Sequence, residues 1–562
     1  MTATTPPVQH EIDPEIYKRR WLILPVLCTS LMIVIIGNTA LNVAIPTLSK
    51  ALDASNSQLE WIVAAYSLVF AGMLFTAGTI GDRFGRKGAL QAGLVGFLAG
   101  TLLASTADSA ATVIGGRVVM GLAAAFIMPS TLSILTNVFP AHERPKAIAI
   151  WAGVSGAGAA IGPLASGYLL GHFYWGSVFL VNVPVILIAL VLGYFLVPKS
   201  RDPEQSPLDL PGALLSIIGL GALVYSIIEG PTHGWLSATS AATFGLAIAG
   251  IAAFIWRENT AKHPMLDLKL FKDRRFSVAS VGMTLTFFAM FGTFFLVAQY
   301  FQLVLGYSPL KSGLLTLPMA IVMMAIAPQV PKLVGRFGAH RVVPAGLTFI
   351  AIGMAFFSQV QVDSPIWFIY LSIIPLGAGM ATTMTPLTTL IMSSVPLGKA
   401  GVGSAMNDTT RELGGALGVA VLGSIVTSAY KSNLHDLGGL PASARHLADS
   451  GLAGALTVAA KTGGVQGAAI ANSARAAFVD GIGLAAMVAG IVVIIAAIAA
   501  WFLLPHHFGV QAGTTVAEHE NQTDLSMDGS LDPDEIDALV DDRGEPEEQP
   551  SAPSGRPAPV ID

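Results

Sequence analysis

Residues 78–90 read GTIGDRFGRKGAL. Four charged side chains, Asp82, Arg83, Arg86 and Lys87, fall within six positions of a chain that is only 12% charged. On both sides the sequence is almost wholly apolar. The stretch is thus a short charged connection between two apolar runs, and the length of such runs decides the fold. About 20 apolar residues match what a helix needs to cross a bilayer. Backbone polar groups cannot go unpaired in lipid, so these runs are read as helices.

Working outward from this loop, fourteen candidate spans are found, at roughly 21–45, 60–80, 89–107, 111–137, 147–170, 176–197, 210–228, 238–256, 276–301, 312–334, 343–360, 366–391, 401–429 and 478–504. The whole chain of 562 residues is 53% hydrophobic, with a mean hydropathy of +0.66. A soluble chain of this length needs more charge. The polar first 20 residues lack a cleavable signal pattern, so the first run is expected to stay as an anchor. The single cysteine, Cys28, allows no intrachain disulfide and no cysteine metal site.

Loop charge sets the orientation. With the N-terminus inside, 21 Lys and Arg fall on or border the inner connections and six the outer ones. Both ends are therefore expected inside. The net charge of −5 is a poor guide, because residues 506–562 carry 14 acids and two arginines. The expected organisation is a cytoplasmic N-terminus (1–20), a six-helix half (21–197), two inserted helices (198–256), a charged inner linker (257–275), a second six-helix half (276–504) with an outer loop (430–477), and an acidic tail (505–562). The tail reads as disordered. Within it, residues 532–542 (DPDEIDALVDD) are either solvated or a short acidic helix that docks a protein partner. A weak repeat supports two halves: residues 81–90 (GDRFGRKGAL) resemble 334–343 (VGRFGAHRVV), eight spans apart.

Several motifs together resemble the major facilitator superfamily, in its fourteen-helix drug:proton antiporter branch. The opening stretch is similar to the family's signature loop between spans 2 and 3. Gly81 and Gly85 permit a tight turn. Asp82 stands beside Arg83 and Arg86, where charge-assisted hydrogen bonds can form. The resemblance implies a cytoplasmic gate made of Gly81, Asp82, Arg83, Gly85 and Arg86; a plain topology signal is the other reading. Gly158, Gly162, Pro163 and Gly167 are similar to the antiporter motif of span 5, with Ser166 where the pattern has a further glycine. That motif implies export, although its spacing also suits ordinary helix packing. Gly116-Arg117-Val-Val-Met-Gly121 resembles the span 4 motif with a buried arginine. An intramembrane Arg is a functional candidate, unless it snorkels to the outer surface. Residues 208–212, 300–309 and 407–418 also fit the branch.

The pattern breaks at two acids. The branch usually has Asp where this chain has Gly37 and Ala64. A proton antiporter needs a group that gains a proton in one state and loses it in the other. Asp408 and Glu412, four residues apart on one face of span 13 with Arg411 between them, are the preferred carriers. They fall roughly 10–17 Å into that span at ~1.5 Å per residue. A static triad at a helix end is the alternative. Glu60, one turn outward of Ala64, is either a displaced acid pairing with Arg117 or a cap at the interface. Candidate cavity residues are Asn38, Asn42, Tyr66 and Gln302, with Phe294 and Tyr300 as aromatic walls.

The expected protein is a bacterial, multi-pass cell-membrane exporter of lipophilic small molecules, driven by protons, and not an enzyme. Few acids point to neutral or singly charged amphipathic substrates. Export of a lipid or secondary metabolite, and a degenerate transporter acting as receptor or scaffold, are the competing readings. No Walker motif, metal-ligand spacing or cofactor signature appears, and the basic loops need no nucleic acid.

Overall fold

The computed structural model describes residues 14–140, 143–200, 209–262, 264, 266–395, 400–435 and 440–504. The acidic tail, including 532–542, lies outside them. In chain order the helices are α1 (Pro14–Ala51), α2 (Asn56–Phe84), α3 (Arg86–Ser105), α4 (Ala110–Val138), α5 (Arg144–His172), α6 (Ser177–Leu180), α7 (Asn182–Leu196), α8 (Leu210–His233), α9 (Ala238–Thr260), α10 (Arg274–Gln299), α11 (Pro309–Ile326), α12 (Val330–Phe337), α13 (Ala339–Phe357), α14 (Ile366–Ser393), α15 (Ala400–Asn433), α16 (Ala442–Asp449), α17 (Leu452–Thr462) and α18 (Gly464–Leu503). Among the described residues, thirteen helical stretches are long and apolar enough to cross a membrane. The 29-residue α5, rich in Gly and Ala, completes the fourteen expected from sequence.

Packing repeats with the sequence. In the first half α1 packs on α5, α2 on α4, and α3 on α4 and α7. In the second, α10 packs on α15, α11 on α14, and α13 on α14 and α18. The two repeated loops match in conformation. Gly85 (φ 122°) joins α2 to α3, and Gly338 (φ 78°) joins α12 to α13. Both backbones lie in the region that favours glycine. Each loop sets an arginine over the following phenylalanine, Arg83 on Phe84 at 5.4 Å and Arg336 on Phe337 at 5.3 Å.

The inserted pair is not peripheral throughout. α8 packs on α9 but also on α2 and α15, so it runs along the seam where the halves meet. There Ala64 and Leu68 of α2, Val224 and Ile228 of α8, and Ala416 and Ala420 of α15 form one buried apolar cluster. Small side chains let the three helices approach closely.

The outer connection differs from its expectation. Residues 430–477 read as a Gly-, Ala- and Ser-rich loop, yet much of the stretch is helical. α15 continues to Asn433, α16 and α17 follow, and α18 begins at Gly464 rather than near residue 478. Alanine is the strongest helix former, and packing of α17 on α18 supplies the tertiary support. This segment docks on the first half: the Asn56 backbone N–H at the start of α2 donates to Ser450 O at 3.0 Å.

Candidate functional site

Arg117 is the most informative side chain. It is fully buried, which rules out snorkelling. Its guanidinium donates to Ile62 O (3.0 Å), Gly37 O (3.1 Å) and Asn38 Oδ1 (3.2 Å). Its Cζ lies 4.1 Å from the centre of the Tyr66 ring, a cation–π contact in a water-poor place. These groups bind α4 to α1 and α2. A Cβ at Gly37 would stand 2.9 Å from Phe97 Cζ. An acid at this position would have to displace the Phe97 ring, and in its absence two backbone carbonyls and Asn38 are the partners of the arginine.

Across the seam, α15 presents the other charges. Ser67 shares a side-chain hydrogen bond with Glu412, and Arg117, Arg411 and Asp408 all lie within electrostatic reach of that carboxylate. Glu412 Oε2 and Arg411 Nε have no hydrogen-bond partner. Asp408 Oδ1 is 3.7 Å from Arg411 Nη1 and accepts from Asn407 Nδ2 at 3.4 Å. Arg411 lies 5.4 Å from the Phe287 ring centre. Asp408, Arg411 and Glu412 are only partly buried. One cluster thus joins Arg117, Tyr66 and Ser67 of the first half to Glu412 of the second, with unsatisfied polar atoms between them.

Glu60 behaves differently from either expectation. It does not pair with Arg117, and it caps nothing, because Ser55 is the N-cap of α2. It is fully buried. Its Oε1 accepts from Asn56 Nδ2 (2.9 Å) and Thr427 Oγ1 (3.3 Å), and Asn56 also bonds Thr427. Neighbouring polar contacts continue to α8: Ser57 Oγ donates to Glu229 Oε1 at 3.2 Å. The Asn56 partner, one turn before Glu60, was readable as an i,i+4 pair. Ser424 and Thr427 lie more than 360 residues away, and their place on the outer part of span 13 gave no such signal.

The other candidates divide. Arg86 Nε donates to Asp82 Oδ1 at 2.6 Å across the Gly85 turn. The Arg86 backbone N–H donates to Ser200 O (2.9 Å), and Lys87 Nζ to Tyr194 O (2.6 Å), so the loop is tied to the end of span 6. A Cβ at Gly81 would stand 3.2 Å from Ala89 Cβ. The span 5 motif faces two helices. Gly158 and Gly162 lie against Ile35 and Thr39 of α1, while a Cβ at Gly167 would stand 2.8 Å from Leu310 Cα at the start of α11. The Pro163 carbonyl lies equally close to Gly313, where a Cβ would stand 3.0 Å away. This motif joins the halves on their outer side by backbone contact.

Of the cavity candidates, Asn38 and Tyr66 belong to the Arg117 cluster. Gln302, in the π turn Tyr300–Val304, donates through Nε2 to Val43 O at 2.8 Å and helps close the outer side. Tyr300 OH donates to Gln361 O at 2.6 Å. Asn42 is buried with its Oδ1 unpaired, and Phe294 is half-buried. Among the described residues no group of His, Cys, Asp and Glu could hold a metal.

A profile described as Major Facilitator Superfamily matches residues 27–419. The chain belongs to that superfamily. It is 39% identical over 480 residues to the multidrug efflux pump LfrA of Mycolicibacterium smegmatis, covering 85% of this chain and 95% of that one. It is 32% identical over 515 residues to the tetracenomycin C resistance and export protein of Streptomyces glaucescens, covering 88% and 95%. Its fold is similar to a crystal structure of a bacterial homologue of the human lysosomal transporter Spinster (TM-score 0.61, 17% identity, 86% and 96% covered). Family and apolar helices together make this a multi-pass membrane transporter of the cell membrane.

Proposed function

We propose that this protein exports lipophilic, amphipathic small molecules by proton-driven alternating access. The observation that carries the proposal is the charged cluster within the helix bundle, where Arg117, Tyr66 and Ser67 of one half meet Glu412 of the other. Charges in such a place are costly unless they serve a pathway. Glu412 is the coupling acid, Asp408 its companion, and Arg117 and Arg411 are the cations that exchange partners as the halves rock. Substrate lies beside them, against Asn42 and Phe294. The Asp82–Arg86 pair is the inner gate, and the Gly167–Leu310 approach closes the outer side.

The strongest support for export comes from the relatives: LfrA is a multidrug efflux pump and shares 39% of residues over 85% of this chain. The S. glaucescens relative, a resistance and export protein for tetracenomycin C, supports a second reading, in which the cargo is an aromatic secondary metabolite. One assay addresses both. Proteoliposomes with an imposed pH gradient are offered fluorescent lipophilic cations, neutral dyes and polycyclic aromatics. The wild type is expected to concentrate at least one class, and Asp408→Asn/Glu412→Gln is expected to lose gradient-driven uptake while still binding the dye. Equilibration of dye that ignores the gradient in the wild type removes the proton-coupled reading.

A further inference from the structure

Along the seam formed by α2, α8 and α15, the Ala64–Ala416–Ala420 cluster stands between two acids, Glu60 and Glu412. On its inner side is Glu412. On its outer side is Glu60, fully buried in α2. Its hydrogen-bond partners are an amide and hydroxyls, and among the described residues no basic side chain is within ion-pair distance of it. Charged and titratable groups facing it from the neighbouring elements do not supply one. On α8, Glu229 is also an acid, and His233 is spent on it at 3.9 Å. On α15, Lys431 donates to Pro231 O at 3.1 Å and Tyr430 OH to Ala448 O at 3.0 Å. At the end of α16 stands Asp449.

Hydrogen-bond bookkeeping then singles out one oxygen. Ser424 has a single hydroxyl hydrogen and two oxygens in reach, Ile227 O at 2.6 Å and Glu60 Oε2 at 3.5 Å. The short contact takes the hydrogen. A carboxylate at Oε2 would then face a lone pair, whereas a neutral acid donates its own hydrogen to Ser424 Oγ and completes the set. The same arrangement ties three elements: Glu60 to α15, and Ser424 of α15 to α8. Gly423 makes the approach possible, since a Cβ there would lie 2.5 Å from Glu60 Cδ.

On the outer side a small pocket comes as far as the two residues that donate to this carboxyl. A small pocket is lined by Asn56 and Thr427, the two donors to Glu60, and by Tyr430, Asp449 and Ser450 of the outer segment. The apolar cluster blocks the way inward. We infer that Glu60 is a proton-binding latch of the outer face: it takes its proton from the outer side through the pocket under Ser450, and when loaded it holds α2, α8 and α15 together with the outer side closed. Opening the seam admits water, and the proton returns the way it came. Glu60 therefore sets the position of the outer gate and carries no proton across. This deepens the exporter reading and rests on it only for the rocking of the two halves.

The test reads conformation, not transport. Full-length protein with Cys28→Ser carries spin labels at Lys50→Cys and Lys311→Cys, exposed outer-end positions in different halves, and sits in lipid nanodiscs. Distances are measured by pulsed electron resonance from pH 5 to pH 9. The short, closed distance is expected to dominate at low pH and to give way to a longer one as pH rises. Glu60→Gln is expected to stay closed at every pH, and Asp408→Asn/Glu412→Gln to keep the pH response. Ser424→Ala, which leaves Glu60 intact, is expected to raise the open fraction at low pH several-fold. A distance that ignores pH in the parent, or a Glu60→Gln protein that responds like the parent, overturns the latch. Dye transport by the same variants in proteoliposomes tests the exporter reading separately, so either can fail alone.

Discussion

Two acids lie on one seam, and their surroundings have little in common. Glu412 keeps partial exposure, has an unpaired carboxylate oxygen and stands among cations. Glu60 is sealed, and its partners are hydroxyls and one amide. About two helical turns of α2, from residue 60 to residue 67, separate the two environments, with Ala64 between them in the apolar cluster. The branch usually has its span 2 acid at the Ala64 position. Moving an acid outward by one turn, about 6 Å along the helix, takes it from the middle of that cluster to the far side. What a buried acid can do is set by what surrounds it: cations in one case, hydroxyls and an amide in the other.

The sharpest way to break this contrast is at Glu412. Glu412→Gln alone is expected to bring gradient-driven uptake to the level of empty liposomes, and Asp408→Asn to lower it less, because only Glu412 touches the first half. Equal loss in both would merge them into one static triad. The next largest effect is expected from Ala64→Asp, which puts an uncompensated carboxylate among Ala416, Ala420, Val224 and Ile228. The expected cost is roughly 3–5 kcal/mol, by analogy with leaving one partner of a buried pair alone, read as a fall in the thermal midpoint of detergent-purified protein. A midpoint unchanged would show that the two acids are not insulated from each other. Gly423→Ala presses a methyl group on Glu60, and overpacking of this kind costs about 1–3 kcal/mol; the closed outer distance is expected to lose population. The smallest effect is expected for Ser57→Ala, which removes the hydroxyl bonded to Glu229 and with it about 0.5–1.5 kcal/mol. Thermal melting should barely register it.

Much of the site was legible because it is local in sequence. The charged loop at 78–90, Arg117 within an apolar run and the i,i+4 pair Asp408 and Glu412 each carry their signal within a few residues. Thirteen of the fourteen expected spans are helices long and apolar enough to cross a membrane, and α5 stands at the remaining one. What the sequence withheld is long-range. Nothing near Glu60 announces Ser424 or Thr427, and nothing near Gly37 announces that the Phe97 ring packs against it. The partners of Arg117 were missed for a related reason: two of the three are backbone carbonyls, which every residue possesses. The outer segment was misread because Ala and Gly in a polar setting look like a linker, although Ala with a surface to pack on favours helix.

α18 holds 40 residues, which makes it about 60 Å long. The hydrocarbon core it crosses is about 30 Å thick. A large part of it therefore stands clear of the lipid, braced by α17 and by the paired contacts of Ser473 with the His435 backbone. Small transporters are hard subjects for electron microscopy because little of them rises above the detergent belt to orient the images. Here the chain supplies its own mast. A synthetic antibody fragment raised against the α17–α18 ridge would have a helical feature to grip.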